Sequence, residues 1–452
     1  MTKHNFPVME HFWLTNAHVP LCLESKTVPQ DRDGLVLLDL EIAHGQIRQI
    51  IPSRPGNFPR SIVSEDVPVI DLHQGMVWPC FVDVHTHLDK GHIWERSPNT
   101  DGTFDTALRT VLRDSTEYWR EEDVYQRMEF GLKCSYVHGT QAIRTHIDAE
   151  GKQAEISFKV FQDLQKQWGD RLILQAVSLV SLDYYLTVAG VKLADLVTTV
   201  NGGILGGVAY MNPNIDNELE IFFQLATARN LDIDLHVDET DDPNSIILQL
   251  VAKTAIKYRN EYNFTGKITC GHCCSLAVQS PEVAKETINL VKQADIHIVS
   301  LPMCNLYLQD RHAGKTPHWR GITLIHELKQ AGVPVCIASD NCRDPFYGFG
   351  DHDMLEVLSM AVKIGHLDTP HYGDWPTSFT KIPAAIMGLT DQAEIKVNTP
   401  ANLILFRGRT FSELLSRPQS DRIVLRQGHP IDMVLPDYRE LDNIIHPYHI
   451  HH

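Results

Sequence analysis

The sequence predicts an α/β fold: a (β/α)8 TIM barrel with a small β domain built from both chain ends. Three observations lead there. Eight short apolar runs alternate with amphipathic helical stretches through the middle of the chain. Strand-like segments with turn signals occupy both ends. Ligand-type residues stand where apolar runs stop, as they do when parallel strands deliver their C-terminal ends to one barrel mouth. The expected organisation is residues 1–77 as the first part of the β domain, 78–390 as the barrel, and 391–452 as the second part.

Leu35 to Ile42 reads as a strand, His44-Gly45 as a turn, and Gln46 to Ile51 as the returning strand; Val67 to Asp71 follows. From Pro79 the pattern changes. The apolar runs are Phe81–Val84, Gln141–Ile143, Leu172–Val177, Gly203–Ala209, Leu231–Leu235, Lys267–Cys270, Ile296–Leu301 and Pro334–Ala338. Between them, Leu219, Phe222, Phe223 and Ala226 recur at i, i+3, i+4 and i+7, one face of a helix. Asp123 to Tyr136, Ser245 to Tyr258 and Pro281 to Lys292 also read as helices. After Thr390 strand character returns in Ala401 to Phe406, Arg422 to Leu425 and Ile431 to Leu435. The simplest arrangement joins these to the N-terminal strands, with the barrel inserted between. His446 to His452 hold four histidines and read as a flexible tail rather than a metal site.

Charge narrows the function. Fifty-seven acids against 40 Lys and Arg give a net charge of −17, which argues against nucleic acid or an anionic membrane as partner and leaves a small molecule. Met1 to Leu14 lacks the apolar run of a secretory signal, and no stretch of about 18 apolar residues offers a spanning helix. Nine scattered cysteines, an odd number, read as reduced thiols, so a cytoplasmic protein is expected, and with it a homo-oligomer. Cys270, Cys273 and Cys274 cluster around His272, but a cysteine-zinc site usually takes two CxxC pairs and no second pair exists. They are expected to be small core residues.

The chemistry lies at the run ends. Phe81–Val84 leads into His85-Thr86-His87, Gln141–Ile143 into Arg144-Thr145-His146, Leu231–Leu235 into His236, Lys267–Gly271 into His272, and Val335–Ser339 into Asp340. Side chains alternate along a strand, so His85 and His87 point to one side and can grip one ion. His236 and Asp340 can complete a set of three imidazoles and one carboxylate that leaves room for water. With 24 histidines in the chain an HxH pair alone is weak, but five strand ends carrying ligand-type residues are not a chance pattern.

Pro79-Cys80-Phe81-Val82-Asp83-Val84-His85-Thr86-His87-Leu88-Asp89-Lys90 resembles the first-strand signature of the amidohydrolase superfamily. More narrowly, residues 75–405 resemble the bacterial cytosine deaminase family, through Arg144-Thr145-His146-Ile147-Asp148, His236-Val237-Asp238-Glu239, the run from Asn305 to Arg311, and Arg320-Gly321-Ile322-Thr323. The resemblance implies that His85, His87, His236 and Asp340 are metal ligands, Glu239 the proton-shuttling acid, and His272 the histidine beside the attacking water. A divalent metal brings bound water toward neutral pKa and so supplies hydroxide. Asp340 can take the water's proton, His272 can orient the nucleophile, and Glu239 can protonate a ring nitrogen and then departing ammonia. Many relatives hold two metals through a lysine closing the fourth strand; here that strand runs into Tyr210-Met211-Asn212, so one zinc or iron per chain is expected. The HxE and PCxxC signatures of the other zinc deaminase class are not matched.

On the substrate side the resemblance thins. Ser181 stands where cytosine deaminases offer a glutamine, Asn341 where they have a second aspartate, and Phe346 where they have tryptophan. Lys90 can hydrogen-bond a ring carbonyl, as similar His-Leu-Asp-Lys runs in relatives acting on aminotriazines imply, and Asn305 and Gln309 are candidate readers of the heterocycle edge, though Gln309 can equally brace its loop. A buried site that hydrogen-bonds one heterocycle discriminates strongly against another edge, so cytosine is not expected to be the best substrate. The leading reading is hydrolytic deamination of an amino-substituted N-heterocycle: cytosine, or a related pyrimidine, purine, pterin or triazine. Hydrolysis of a cyclic amide and a non-catalytic scaffold are the alternatives.

Overall fold

The computed structural model describes residues 6–24, 30–54 and 66–445; the histidine-containing tail lies outside them. The strands in chain order are β1 (His11–Pro20), β2 (Leu35–Ala43), β3 (Gln46–Pro52), β4 (Val69–Asp71), β5 (Val77–Pro79), β6 (Phe81–Thr86), β7 (Thr140–Asp148), β8 (Ile173–Leu179), β9 (Gly203–Ala209), β10 (Ile233–Val237), β11 (Ile268–His272), β12 (Ile296–Ser300), β13 (Val335–Ile337), β14 (Leu403–Leu405), β15 (Ile423–Arg426) and β16 (His429–Pro430). The chain divides into two compact units. One comprises the described parts of Met1–Val82 with Ser135–Gln141 and Asp353–Leu435; the other comprises Asp83–Cys134, Ala142–His352 and the described part of Pro436–His452.

The first unit contains two four-stranded sheets, ordered β3-β2-β1-β4 and β16-β15-β14-β5. Alternate residues of both, among them Leu14, Leu38, Leu40, Ile42, Leu403 and Leu425, meet in one buried core, so strands from both chain ends make one small β structure. Arg422 forks onto Asp353 at 2.7 and 2.6 Å within this unit. The expected strand Ile431–Leu435 is not formed. Regular pairing stops at His429–Pro430; the Ile431 amide still donates to the Val424 carbonyl at 3.1 Å, but Val434 and Leu435 are 64% and 44% exposed, and the rest of the run forms no strand.

The second unit carries the barrel. Eight parallel strands run in the order β13-β12-β11-β10-β9-β8-β7-β6, matching the eight apolar runs in sequence order. The Asp340 amide donates to the His85 carbonyl at 2.9 Å, joining the last strand's exit to the first and closing the ring. Inside, Asp83 accepts from the Ser339 amide at 3.1 Å and from its hydroxyl. Arg144 reaches across to Asp234 at 2.8 Å and to Gln175 at 3.0 Å. Thus β7 and β10 each present one buried polar layer at Arg144 and Asp234, and the next two residues along, His146 and His236, stand a layer nearer the mouth. Burial pushes Asp234 up to about 6, against the Arg144 guanidinium that favours its charge.

The predicted helices form as Glu121–His138, Ile215–Arg229, Ile247–Glu261 and Pro281–Gln293. Leu219, Phe222, Phe223 and Ala226 are fully buried, as their spacing requires. The third begins two residues later than Ser245 because Asp238 accepts from the amides of Ile247 and Leu248, at 3.0 and 2.9 Å, and caps it there.

β9 contains a glycine with no room for a side chain. A Cβ on Gly206 would lie 2.2 Å from Val177 Cγ1 and 2.5 and 2.7 Å from the carbonyl oxygens of Asp234 and Ser178. Backbone on both neighbouring strands cannot withdraw without breaking the barrel ladder. Gly206→Ala is therefore expected to cost about 1–3 kcal/mol or more, read as a lower Tm than the parent chain in side-by-side thermal melts; an unchanged Tm would contradict the packing described.

Candidate functional site

Four donor atoms converge at the C-terminal end of the barrel. His85 is the penultimate residue of β6 and His87 follows its end, His236 is the penultimate residue of β10, and Asp340 lies three residues past β13. All four are buried. His85 Nε2 and His236 Nε2 are 3.2 Å apart, His236 Nε2 and His87 Nε2 3.3 Å, His87 Nε2 and Asp340 Oδ1 3.2 Å, and His85 Nε2 and Asp340 Oδ1 3.5 Å. Donors about 2.0–2.1 Å from a tetrahedral ion stand roughly 3.4 Å from one another, so the spacing fits a divalent metal. The chemistry of the donors agrees. Burial holds the three imidazoles well below their ordinary pKa, the neutral form a metal requires. Neither oxygen of Asp340 meets a donor in good hydrogen-bond geometry among the described residues; burial pushes its pKa up to about 8, outweighing the nearby Cys304 thiol, which favours its charge. A buried carboxylate without a well-placed donor needs a cation beside it.

Local sequence makes this crowding possible. Gly271, one residue before the end of β11, leaves space for the His85 ring: a Cβ there would lie 2.9 Å from His85 Cε1. Asp238, His272 and Asp340 all have left-handed backbone (φ 53°, 67° and 65°), so the chain turns sharply out of three strands at the site. Asp238 also accepts from the Ser245 hydroxyl at 2.6 Å, which locks the turn that delivers Glu239.

Glu239 and His272 form a second group. Asn305, on the short helix Pro302–Leu308, places its Nδ2 2.9 Å from His272 Nδ1 and 3.3 Å from Glu239 Oε1. With that amide as donor to Nδ1, the neutral imidazole's proton falls on Nε2. Burial, with repulsion from Lys90, pushes the His272 pKa down to about 3, so it is neutral. Burial and the nearby Asp340 carboxylate raise Glu239 well above the ordinary carboxylate range, which keeps a transferable proton on it.

A cavity of about 870 Å³ opens over these groups, with His87, His236, Glu239 and His272 in its wall. Lys90 lines it too and is only 5% exposed. Burial opposes its charge, but the carboxylates of Asp148, Asp89 and Asp344 hold it protonated, and it donates to Asp148 at 3.0 Å and lies over the Phe346 ring at 5.2 Å. Phe346, Asn341 and Ser181 also line the cavity. The Asn341 amide is engaged by Asp344 at 2.8 Å, and the Ser181 hydroxyl turns to Asp183. Asn305 and Gln309, expected to read the substrate edge, are not in the wall; Asn305 orients His272 and Glu239, and Gln309 braces the Glu239 carbonyl at 3.4 Å. Among the wall residues that the sequence does not single out are Asp148 and Tyr210. Asp148 closes β7, at a strand end like the other site residues, and that position was its signal. Tyr210 follows β9 and lines the wall while remaining 45% exposed, and the nearby Glu239 carboxylate opposes ionisation of its hydroxyl. Cys270, Cys273 and Cys274 are fully buried.

Comparison with known proteins agrees with this geometry. The profile of the amidohydrolase family matches residues 105–432. A pterin deaminase from Rhizobium rhizogenes is 50% identical over 441 residues, which is 97% of this chain and 98% of that protein. N-isopropylammelide isopropyl amidohydrolase from Pseudomonas sp. is 23% identical over 348 residues, 74% of this chain and 81% of the relative. The crystal structure of 5-methylcytosine deaminase from Klebsiella pneumoniae liganded with phosphonocytosine shares the fold, with a TM-score of 0.78 at 23% identity, covering 94% of this chain and 99% of that one. Among the described residues no helix is long and apolar enough to cross a membrane.

The donor set generates a direct test. His236→Ala removes one of the four donors; if they hold an ion, the variant is expected to carry one metal equivalent fewer than the parent chain by elemental analysis, with unchanged far-UV circular dichroism. Equal metal content in the two proteins would place the ion elsewhere.

Proposed function

Because the chain belongs to the amidohydrolase family, we propose that it is a metal-dependent hydrolytic deaminase whose substrate is a pterin, converted to the corresponding oxo compound and ammonia. The observation that carries the deaminase reading is Glu239, held beside the four-donor set by the same Asn305 amide that fixes His272. The pterin follows from the half-identical relative of that name, and the cavity of about 870 Å³ has room for a substituted bicyclic ring.

His85, His87, His236 and Asp340 would hold one divalent ion, zinc or iron, which lowers the pKa of a bound water toward neutrality. The remaining steps belong to the protein's own side chains. His272 presents its Nε2 proton to the oxygen that attacks the amino-bearing carbon, and stabilises charge as it builds. Asp340 accepts one proton of the water. Glu239, kept protonated by burial, gives its proton to the ring nitrogen beside that carbon. It then receives the water's first proton from Asp340's side and passes it to the leaving amine as the C–N bond breaks, while the proton left on the attacking oxygen passes by way of Asp340 to Glu239, so that the oxo group forms and the acid is restored. One water is consumed; its oxygen stays on the ring, one proton ends on the ring nitrogen and the other on ammonia. Lys90 is the donor for a ring carbonyl, with Asp148 holding it in place and Phe346 beneath it.

Two measurements test the proposal. In an ammonia-release assay with cytosine and pterin side by side, pterin is expected to give the higher kcat/KM; a higher value for cytosine, or no ammonia from either, would overturn the substrate or the reaction. Glu239→Gln keeps size and hydrogen bonding but carries no transferable proton. Its turnover is expected to fall about 10²–10⁴-fold with metal content retained. Near-native turnover in metal-replete protein would show that the proton travels by another route.

A further inference from the structure

A second set of buried metal-type ligands lies in the barrel unit, built from residues to which the deaminase chemistry gives no task. His92, Cys342 and His352 are each about 2% exposed, and one ligand atom from each lies within 4.8 Å of the other two. Neither ring nitrogen of His92 has a hydrogen-bond partner among the described residues. A buried imidazole with both nitrogens unmet has lost its water and gained nothing in exchange, which is costly unless something else fills the place.

The surroundings aim these groups at one another. The His92 amide donates to the Cys342 carbonyl at 3.1 Å, and the Trp94 amide to the Arg343 carbonyl at 2.9 Å, so the loop after β6 and the loop after β13 run side by side. His92 and His352 both have left-handed backbone (φ 63° and 53°), a conformation that costs a residue with a Cβ and that turns both rings inward. The ring centroids are 5.5 Å apart at 54°. Helix Glu121–His138 covers the cluster. Phe130 meets the His92 ring edge-on at 4.8 Å, and Gly131 makes room for His352, since a Cβ there would lie 3.0 Å from its Nε2. Cys134, one turn on, is buried, and the nearby Cys342 is among the groups that hold its thiol un-ionised.

We propose that His92, Cys342 and His352 bind a second divalent metal ion, of the zinc type, separate from the catalytic one. Two imidazoles and a thiolate are a borderline-soft donor set that suits zinc over magnesium or calcium. A filled tetrahedral site would bring the three atoms to about 3.4–3.7 Å, inside the 4.8 Å within which they lie. The thiol of Cys342 loses its proton to solvent as the metal–sulfur bond forms; no oxidant or reductant is involved. The ion would pin the loop bearing Lys90 to the loop bearing Phe346, and so would hold two walls of the substrate cavity in register.

Cobalt(II) distinguishes this site from the catalytic one, because the catalytic donor set contains no thiolate. Full-length protein stripped of metal and reloaded with cobalt(II) is expected to take up two equivalents and to show the strong near-ultraviolet band of a thiolate-to-cobalt transition. That band should persist in His236→Ala, which has lost the catalytic ion, and should disappear with one equivalent in Cys342→Ala. His92→Gln, which keeps the volume of the side chain, provides the same readout should the cysteine variant fail to fold, and is expected to lose the band as well. Absence of the band in fully loaded parent protein, its loss in His236→Ala, or its survival in both the His92 and Cys342 variants would each overturn the proposal.

Discussion

Three imidazoles and a carboxylate, all buried, hold their donor atoms 3.2–3.5 Å apart at the barrel mouth. That packing has no favourable explanation in hydrogen bonds alone. The imidazole nitrogens face one another, and Asp340 has no donor in good hydrogen-bond geometry on either oxygen among the described residues. A central cation resolves the whole arrangement at once, because it supplies charge to the carboxylate and an acceptor of lone pairs to the rings. Much of the surrounding architecture can be read as the means of keeping the four donors at this spacing. Strand alternation places Asp83 beneath His85 and Asp234 beneath His236, and the Arg144–Asp234 pair and the Asp83–Ser339 contact fix the strands from below.

The acid that completes the chemistry is held by a different device. Glu239 lies beyond its strand, where a loop would ordinarily let it wander. Asp238 prevents this by spending its carboxylate on Ser245 and on the first amides of the next helix. Asn305 then ties Glu239 to His272 from the opposite side. Rotamer freedom lost in such a clamp is a cost borne by folding rather than by the reaction. The same burial that crowds the donors raises the Glu239 pKa, so one dry environment readies both the neutral imidazoles and the protonated acid.

What sequence reasoning could reach follows from this division. The eight barrel strands were legible because each is an apolar run of strand length, and the donor residues because they close those runs at fixed parity. Ile431–Leu435 misled because an apolar run looks the same whether or not a neighbouring strand awaits it, and Pro430 ends the regular pairing there. The loops were less legible. Asn305 carries the functional groups of an edge reader, and only three-dimensional proximity shows its amide spent on His272 and Glu239. Asp238 opens a stretch rich in acids, Asp238 to Asp242, yet it is 5% exposed and caps a helix. Asp148 had the strand-end position of a site residue, but its role depends on meeting Lys90, 58 residues away in sequence.

Substrate choice therefore rests on loops whose positions are set by contacts distant in sequence. The segment carrying Lys90 is tied to the end of β7, where the Asp148 amide donates to Asp89 at 2.8 Å, and to the loop after β13 through His92 and Trp94. Arg127, fully buried on a covering helix, donates to the carbonyl of Gly91 at 3.2 Å and pairs with Asp123 at 2.6 Å. A wall braced from three sides keeps Lys90 and Phe346 in one geometry before any ligand arrives, and preorganised polar groups discriminate between heterocycle edges because a mismatched edge leaves them unpaired in a dry site. In the proposed reaction the four donors would serve the reaction class, whereas the loops bearing Lys90 and Phe346 would set which ring edge fits. A change in specificity among related chains is then to be sought first in the contacts between the β6 and β13 loops, and only second in the residues that face the substrate.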